Sequence, residues 1–271
     1  MFSKEKWLTE SSIALAVVSE ISDVLCDKNG CHTVTQKDTF RDIVTNYDIT
    51  SQTIALSALS ASPYPVLSEE LHRETDIIIS SNETYWILDP IDGSVNFLYG
   101  LPLFTVSLGL YHQGDFCVGA VAIPSLKELY FTYCDQAACL NGKSVICSRD
   151  AAFNISLISC AFSSNSHSKN RDKEYALFGK INDTSMGCLR LGSAAVSICF
   201  VVSQRLSAAY GLGVKIWDIA GSLAIAKQAG YEVKIRIHDD TTTADFIVGS
   251  SCVVKHIACL MEEYNLGTDH D

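Results

Sequence analysis

Apolar residues recur at spacings of three and four across residues 6–26, where Leu8, Ile13, Ala16, Val17, Ile21, Val24 and Leu25 fall mostly on one helical face. Residues 46–60 predict a second helix, entered through Thr45, Asn46 or Asp48. The period then shortens. "YPVLSEE" and "YWILDPID" read as short apolar strands, and both run straight into acids. Strand patterns continue over 103–133, where Phe104, Val106 and Leu108 alternate to bury one sheet face. "YHQGDF", "IPSLKEL" and "NGK" mark turns between them. Past residue 150 helices and strands mix: strand 155–161, polar loop 163–173, helices 174–181 and 192–204, strand 206–210, helix 218–229 stopped by Gly230. "YEVKIRIHDDTTTADFIVGS" is a strand region ending in a last strand at 245–249, before a helix over 251–264. The order predicts two layered α/β lobes, 1–150 and 151–271, joined near 145–155.

Composition narrows the classes. The 271 residues are 48% hydrophobic and 19% charged, ordinary for a globular protein with a real core. A net charge of -11 argues against direct nucleic-acid binding, which relies on Lys/Arg patches. No apolar run approaches the roughly 20 residues that span a bilayer, and the N-terminus lacks a signal-peptide layout. The eleven cysteines contain no Cys-x-x-Cys pair. Cys26 and Cys31 followed by His32 come nearest to a metal cluster, but buried free thiols in a reducing cytoplasm are the better reading.

The chemistry lies in acids at the ends of apolar elements: Asp48 in "TNYD", Glu69 and Glu70 in "LSEEL", Asp89 and Asp92 in "LDPIDGS", and Asp218 in "WDIAG". Each alone is more often a turn former or a helix cap. Together they pose a problem. Two carboxylates at the end of one buried strand repel, so a cation must sit between them or one must hold a proton. Magnesium takes hard oxygen ligands, and two such ions can clamp a phosphoryl group and activate water. Glycoside hydrolysis needs fewer acids. No G-x-x-x-x-G-K and no G-x-S-x-G is present, which disfavours an NTPase and a serine hydrolase.

"WILDPIDGSVNFLYGLPLFTVSLGL" closely resembles the first signature of the inositol monophosphatase superfamily, W-x-x-D-P-[IL]-D-G-[ST]-x-N-F, and "WDIAGSLAIAKQAG" resembles its second. "LSEEL" lies twenty residues before Asp89, where the family has G-E-E, and "KDTFRDIVTNYD" resembles the segment with its helper Lys and Asp. The resemblance runs over roughly residues 5–262. It implies an α-β-α-β-α sandwich, usually a homodimer, inhibited by lithium. Glu69, Asp89 and the Ile91 carbonyl fall where the family binds one magnesium. Asp89, Asp92 and Asp218 fall at a second, and Glu69 with Glu70 near a looser third. Asp48 falls where an acid hydrogen-bonds the Ser94 hydroxyl, the pair orienting a metal-activated water. Lys37 matches a lysine on the metal loop, and the Gly93 and Ser94 amides a phosphate-binding helix start.

Substrate choice is implied in the second lobe. "RLGSAA" from Arg190 resembles the family's bacterial substrate loop, with Gly192, Ser193 and Ala194 lining the pocket through backbone groups. Gly211 stands where inositol phosphatases carry a glutamate that holds substrate hydroxyls, a contact glycine cannot make. Ser163–Ser164 is a further candidate for substrate contact, while His72 reads first as a solvated loop histidine and second as a phosphate contact. A small polyol or sugar phosphate such as inositol 1-phosphate ranks first and a 3′,5′-bisphosphate nucleotidase second, with histidinol phosphate and fructose 1,6-bisphosphate also open. A different class, binding RNA polymerase or its antitermination complex, is the remaining alternative.

Overall fold

The computed structural model describes residues 7–27, 33–36, 43–71, 79–80, 82–132, 137–147, 150–162, 169–240 and 242–266. Lys37, Cys31, His32, His72, Ser163 and Ser164 lie outside them. Helix α1 (Leu8–Cys26) is followed by the paired strands β1 (Val34–Gln36) and β2 (Ile43–Thr45), then α2 (Asn46–Leu59). Next come β3 (Val66–Ser68), β4 (Thr84–Asp92), the short α3 (Ser94–Leu98), β5 (Thr105–His112), β6 (Asp115–Ile123), β7 (Glu128–Thr132), β8 (Cys139–Leu140) and β9 (Lys143–Ser144). These strands form one seven-stranded sheet in chain order, antiparallel except for β3 beside β4.

The second half contributes β10 (Leu157–Phe162), α4 (Arg171–Thr184), β11 (Gly187–Leu189), α5 (Ala194–Val202), β12 (Ala208–Lys215), α6 (Ala220–Gln228), β13 (Glu232–Ile237), β14 (Thr243–Gly249) and α7 (Ser251–Glu263). Its strands make a five-stranded sheet in the order β11-β10-β12-β14-β13. Helices α1 and α2 cover the outer face of the first sheet, and α4 and α7 that of the second. Between the sheets lie α5 and α6, so the layers run α-β-α-β-α. The middle layer explains the sequence of α5, "AAVSICFVV". A helix walled by sheets on both sides is apolar nearly all round, and every residue but Phe200 is buried. Helix α6 reaches the first sheet backbone to backbone. A Cβ at Gly119 of β6 would stand 2.1 Å from the Gly221 carbonyl oxygen, so only glycine allows this approach.

Several boundaries move, each for a local reason. The buried stripe of α1 is Ala14, Val17, Val18, Ile21 and Leu25, while Leu8 and Ala16 are exposed. Helix α4 begins at Arg171, inside the expected polar loop. Leu177 and Ile181 bury its one apolar stripe, and Arg171 pairs with Glu174 at 3.0 Å. β12 runs past its expected end at 210 to Lys215, bulging between Gly211 and Val214. The helix expected from 218 begins at Ala220 after a turn, and the one expected from 192 begins at Ala194. Trp86, Trp217 and Cys199 are buried as expected, but Cys26, Cys252 and Cys259 are exposed. Among the described residues no helix is long and apolar enough to cross a membrane.

Candidate metal centre

β4 solves the spacing problem of its two aspartates. In a regular strand, residues three apart point to opposite faces. Here Asp89 pairs with Ser107 and Asp92 with Thr105, three steps on β4 against two on β5. The irregularity spans Pro90–Ile91, where proline's missing N–H is tolerated, and it returns both acids to one face. Asp89 Oδ1 accepts from the Ile91 amide at 3.0 Å, while its Oδ2 is buried with no hydrogen-bond partner among the described residues. The Ile91 carbonyl accepts from Ser94 Oγ at 2.8 Å. Gly93 then turns the chain into α3, which Phe97 anchors through edge contacts to Tyr47 and Phe104. Burying a phenylalanine fully stabilises by about 1.5–3 kcal/mol.

The second half closes over Asp92. Its Oδ2 accepts from Ser193 Oγ and from the Ala195 amide at 2.7 Å. Ser193 is also the N-cap of α5, accepting from the Val196 amide at 3.0 Å. Asn96 ties the same loop down by donating to the Leu103 and Leu191 carbonyls at 2.6 and 2.8 Å. Asp218 stands in the turn before α6, its amide donating to the Lys215 carbonyl at 3.2 Å. Ligand-capable oxygens of Asp89, Asp92 and Asp218 lie within 4.8 Å of one another. Glu69 follows β3, which runs parallel beside β4, and its amide donates to the Leu88 carbonyl at 3.3 Å. Glu69 and the adjoining Glu70 are both half-buried.

Electrostatics mark the cluster as incomplete by itself. Burial, then the charges of Glu69, Asp92, Asp218 and Asp48, push the Asp89 carboxyl well above its usual range. Burial, then Asp92 and Glu69, do the same to Asp218, with Lys215 opposing. Burial raises Asp92 to about 7 against the lowering effect of its Ser193 and Ala195 bonds. A cation among these oxygens would reverse the preference for the proton. The donor set fits a hard divalent ion: oxygens only, three carboxylates together, one buried oxygen with no hydrogen bond.

One expectation needs correction. Asp48 does not hydrogen-bond Ser94. Its Oδ2 accepts from the Thr45 amide at 2.7 Å and Thr45 Oγ1 at 2.6 Å, closing a capping box at the start of α2, while Ser94 serves Ile91. Asp48 is nevertheless buried close enough for its charge to raise Asp89. Gly211 has little room for a side chain. A Cβ there would lie 2.4 Å from Phe246 Cε1 and 2.9 Å from Val214 Cγ1, so apolar groups already fill its side-chain space. Ser193 and Ala194 are buried beside Asp92, whereas Arg190 and Gly192 are exposed on the loop before α5. Sequence reading missed Asn96 and Ala195 as site builders, and gave Ser193 only a backbone role. An N-cap pattern at Ser193 was the available signal.

The family model for the inositol monophosphatase family matches residues 5–256. The inositol-1-monophosphatase SuhB of Mycobacterium tuberculosis is 34% identical over 174 residues, 62% of this chain and 59% of that protein. The match thus spans less than two thirds of that relative's length. The Nus factor SuhB of Pasteurella multocida is 28% identical over 232 residues, 82% of this chain and 85% of its own. The solved structure of Mycobacterium tuberculosis SuhB superposes with a TM-score of 0.79 at 24% identity, covering 96% of this chain and 98% of that one, and it supports the fold. With an acid cluster built by one bulged strand and one helix turn, and a family model covering nearly the whole sequence, the chain belongs to the inositol monophosphatase family.

Proposed function

We propose that this protein is a magnesium-dependent phosphomonoester hydrolase acting on a small polyol or sugar phosphate such as inositol 1-phosphate. The observation that carries this reading is the set of Asp89, Asp92 and Asp218 oxygens within 4.8 Å, with Asp89 Oδ2 buried and lacking a hydrogen bond among the described residues. Glu69, Asp89, the Ile91 carbonyl, Asp92 and Asp218 would hold two ions, and Glu69 with Glu70 a looser third. When bound, magnesium supplies positive charge for the phosphoryl oxygens and makes water more acidic. The protein's own part is positional. Ile91 has a second lone pair besides the one that takes Ser94, so its carbonyl can serve both. Ser94 and Asp48 would orient and deprotonate an attacking water, and Lys37 is proposed as a further helper residue. The Gly93 and Ser94 amides and the Arg190–Ala194 loop would receive the phosphate and its alcohol. Gly211 adds no polar contact, so recognition of the alcohol falls to that loop. The two sheets, 66–144 and 157–249, support a reading as two lobes, 1–150 and 151–271, that share the site.

The absence of any Cys-x-x-Cys pair supports a proposed reducing cytoplasm. We also propose a homodimer and inhibition by lithium. Phosphate release from inositol 1-phosphate with magnesium, lost in EDTA, tests the activity. A second role has its own support, because one relative matched over 82% of this chain carries the name Nus factor. Under that reading the acidic chain binds RNA polymerase, and co-elution of the purified proteins at moderate salt tests it.

A further inference from the structure

β12 and β14 do not pair evenly. Gly211 faces Phe246 and Val214 faces Ala244, three steps along β12 against two along β14. The extra residue makes a bulge, and Gly213 there has φ +58°, a left-handed conformation that suits glycine. The Gly213 amide donates to Asp245 Oδ1 at 2.8 Å. Asp245 is 4% exposed, set between Ala244 and Phe246 in an otherwise apolar strand. Its Oδ2 accepts from Arg236 Nη2 and pairs with His238 Nε2, each at 3.0 Å. His238 Nδ1 meets Thr243 Oγ1 at 3.0 Å, and that hydroxyl donates to Asp240 Oδ2 at 2.8 Å. Beyond the bulge the hairpin keeps hold of the chain, through the Val214–Ala244 and Lys215–Thr243 pairs and then the Ile216 amide, which donates to the Thr242 carbonyl at 2.9 Å. Asp218 follows two residues later.

A buried carboxylate is a poor choice for stability alone, since a well-packed apolar residue often does as well. What the carboxylate adds here is an acceptor aimed at an amide that a bulge displaces from the ladder. We infer that Asp245 is a positioning residue for the metal centre: by holding the Gly213 amide it sets the course of Lys215–Asp218, and so the placement of the Asp218 carboxylate beside Asp89 and Asp92. This role rests on the metal-dependent reading of the site.

The test is calorimetric titration of EDTA-stripped protein with Mn2+, with thermal melts in parallel. Asp245→Ala removes the acceptor and the ion pairs together. Asp245→Asn keeps a carbonyl for the Gly213 amide, and Arg236→Gln removes an ion partner but leaves the acceptor. We expect Asp245→Ala to bind Mn2+ about 10-fold more weakly, the scale seen when outer partners of a metal site are lost. The other two variants should stay within about twofold of the parent even where they melt lower. Unchanged affinity in Asp245→Ala, or equal weakening in Arg236→Gln, would overturn the inference and leave Asp245 a structural brace. If Asp245→Ala does not fold, Gly213→Ala strains the same bulge at φ +58° and should show the same weakening; parent-like affinity there would overturn the inference too. A parent protein that binds no Mn2+ would sink the metal centre itself, an outcome distinct from parent binding with an indifferent variant.

Discussion

Asp92 commits one oxygen to the opposite half of the molecule, through Ser193 Oγ and the Ala195 amide, and this contact joins the acid strand to the loop before α5. Ser193 therefore carries two duties, capping α5 and orienting an acid. Ser193→Ala should cost about 1 kcal/mol from the cap alone and weaken magnesium activation besides, while Ser193→Thr should keep both. Urea unfolding and magnesium titration of turnover separate the two effects. Asp89→Asn should reduce hydrolysis at least about 100-fold with the melting temperature preserved, because an amide is cheaper to bury than a charge. A circular dichroism melt alongside the phosphate assay reads both at once. Gly211→Glu is expected to destabilise rather than to retune specificity, by at least the roughly 1–3 kcal/mol of overpacking, since Phe246 occupies the space. A denaturant midpoint matching the parent would show that Phe246 swings aside.

At the scale of elements, the acids meet because of irregularities rather than regular structure. β4 bulges at Pro90–Ile91, and the turn at Ile216–Ile219 delays α6, so that carboxylates from residues 89, 92 and 218 converge. Helix α6 is held by the Gly119–Gly221 approach. Gly119→Ala should push it off β6, lowering stability by about 3 kcal/mol or more and weakening metal binding with it. Parent-like stability would mean the sheet yields there. The acids themselves were legible in the sequence because carboxylates at the ends of apolar elements, in "LDPIDGS" and "WDIAG", have no cheap structural explanation as a group. Layer order was legible through the resemblance, and the all-apolar run of α5 is consistent with its place in the middle layer. Less legible were the bulge in β12, which carries the strand past its expected end at 210, and the crowding at Gly211. Its side-chain space is filled by Phe246, thirty-five residues away in sequence and adjacent only through strand pairing. The Asp48 cap could have been read from Thr45-x-x-Asp48, which is a capping-box spacing.

For the whole molecule, the acids that are costly to ionise together become favourable only with cations present. Metal affinity should therefore rise with pH until the cluster has lost its protons. Asp92 is raised to about 7, and Asp89 and Asp218 stand well above their usual range. Because their folded values exceed the unfolded value near 4, the metal-free fold binds more protons than the unfolded chain between pH 4 and 7. On this account its stability contribution from these groups falls as pH rises through that window. Melts in EDTA from about pH 5 to 8, repeated with saturating magnesium, should show a metal-induced rise in melting temperature that grows with pH. An increment that is flat or shrinks with pH would contradict this. Millimolar lithium in the presence of magnesium should inhibit turnover, and full activity would place the site outside that expectation. The measurement that bears most directly on the central claim is phosphate release from a panel, first with magnesium and then with EDTA. The panel holds inositol 1-phosphate, glycerol 2-phosphate, 3′-phosphoadenosine 5′-phosphate, fructose 1,6-bisphosphate and histidinol phosphate. Magnesium-dependent release led by a polyol or sugar monophosphate is the predicted result. Release that persists in EDTA, or none from any ester while magnesium binds, would contradict it.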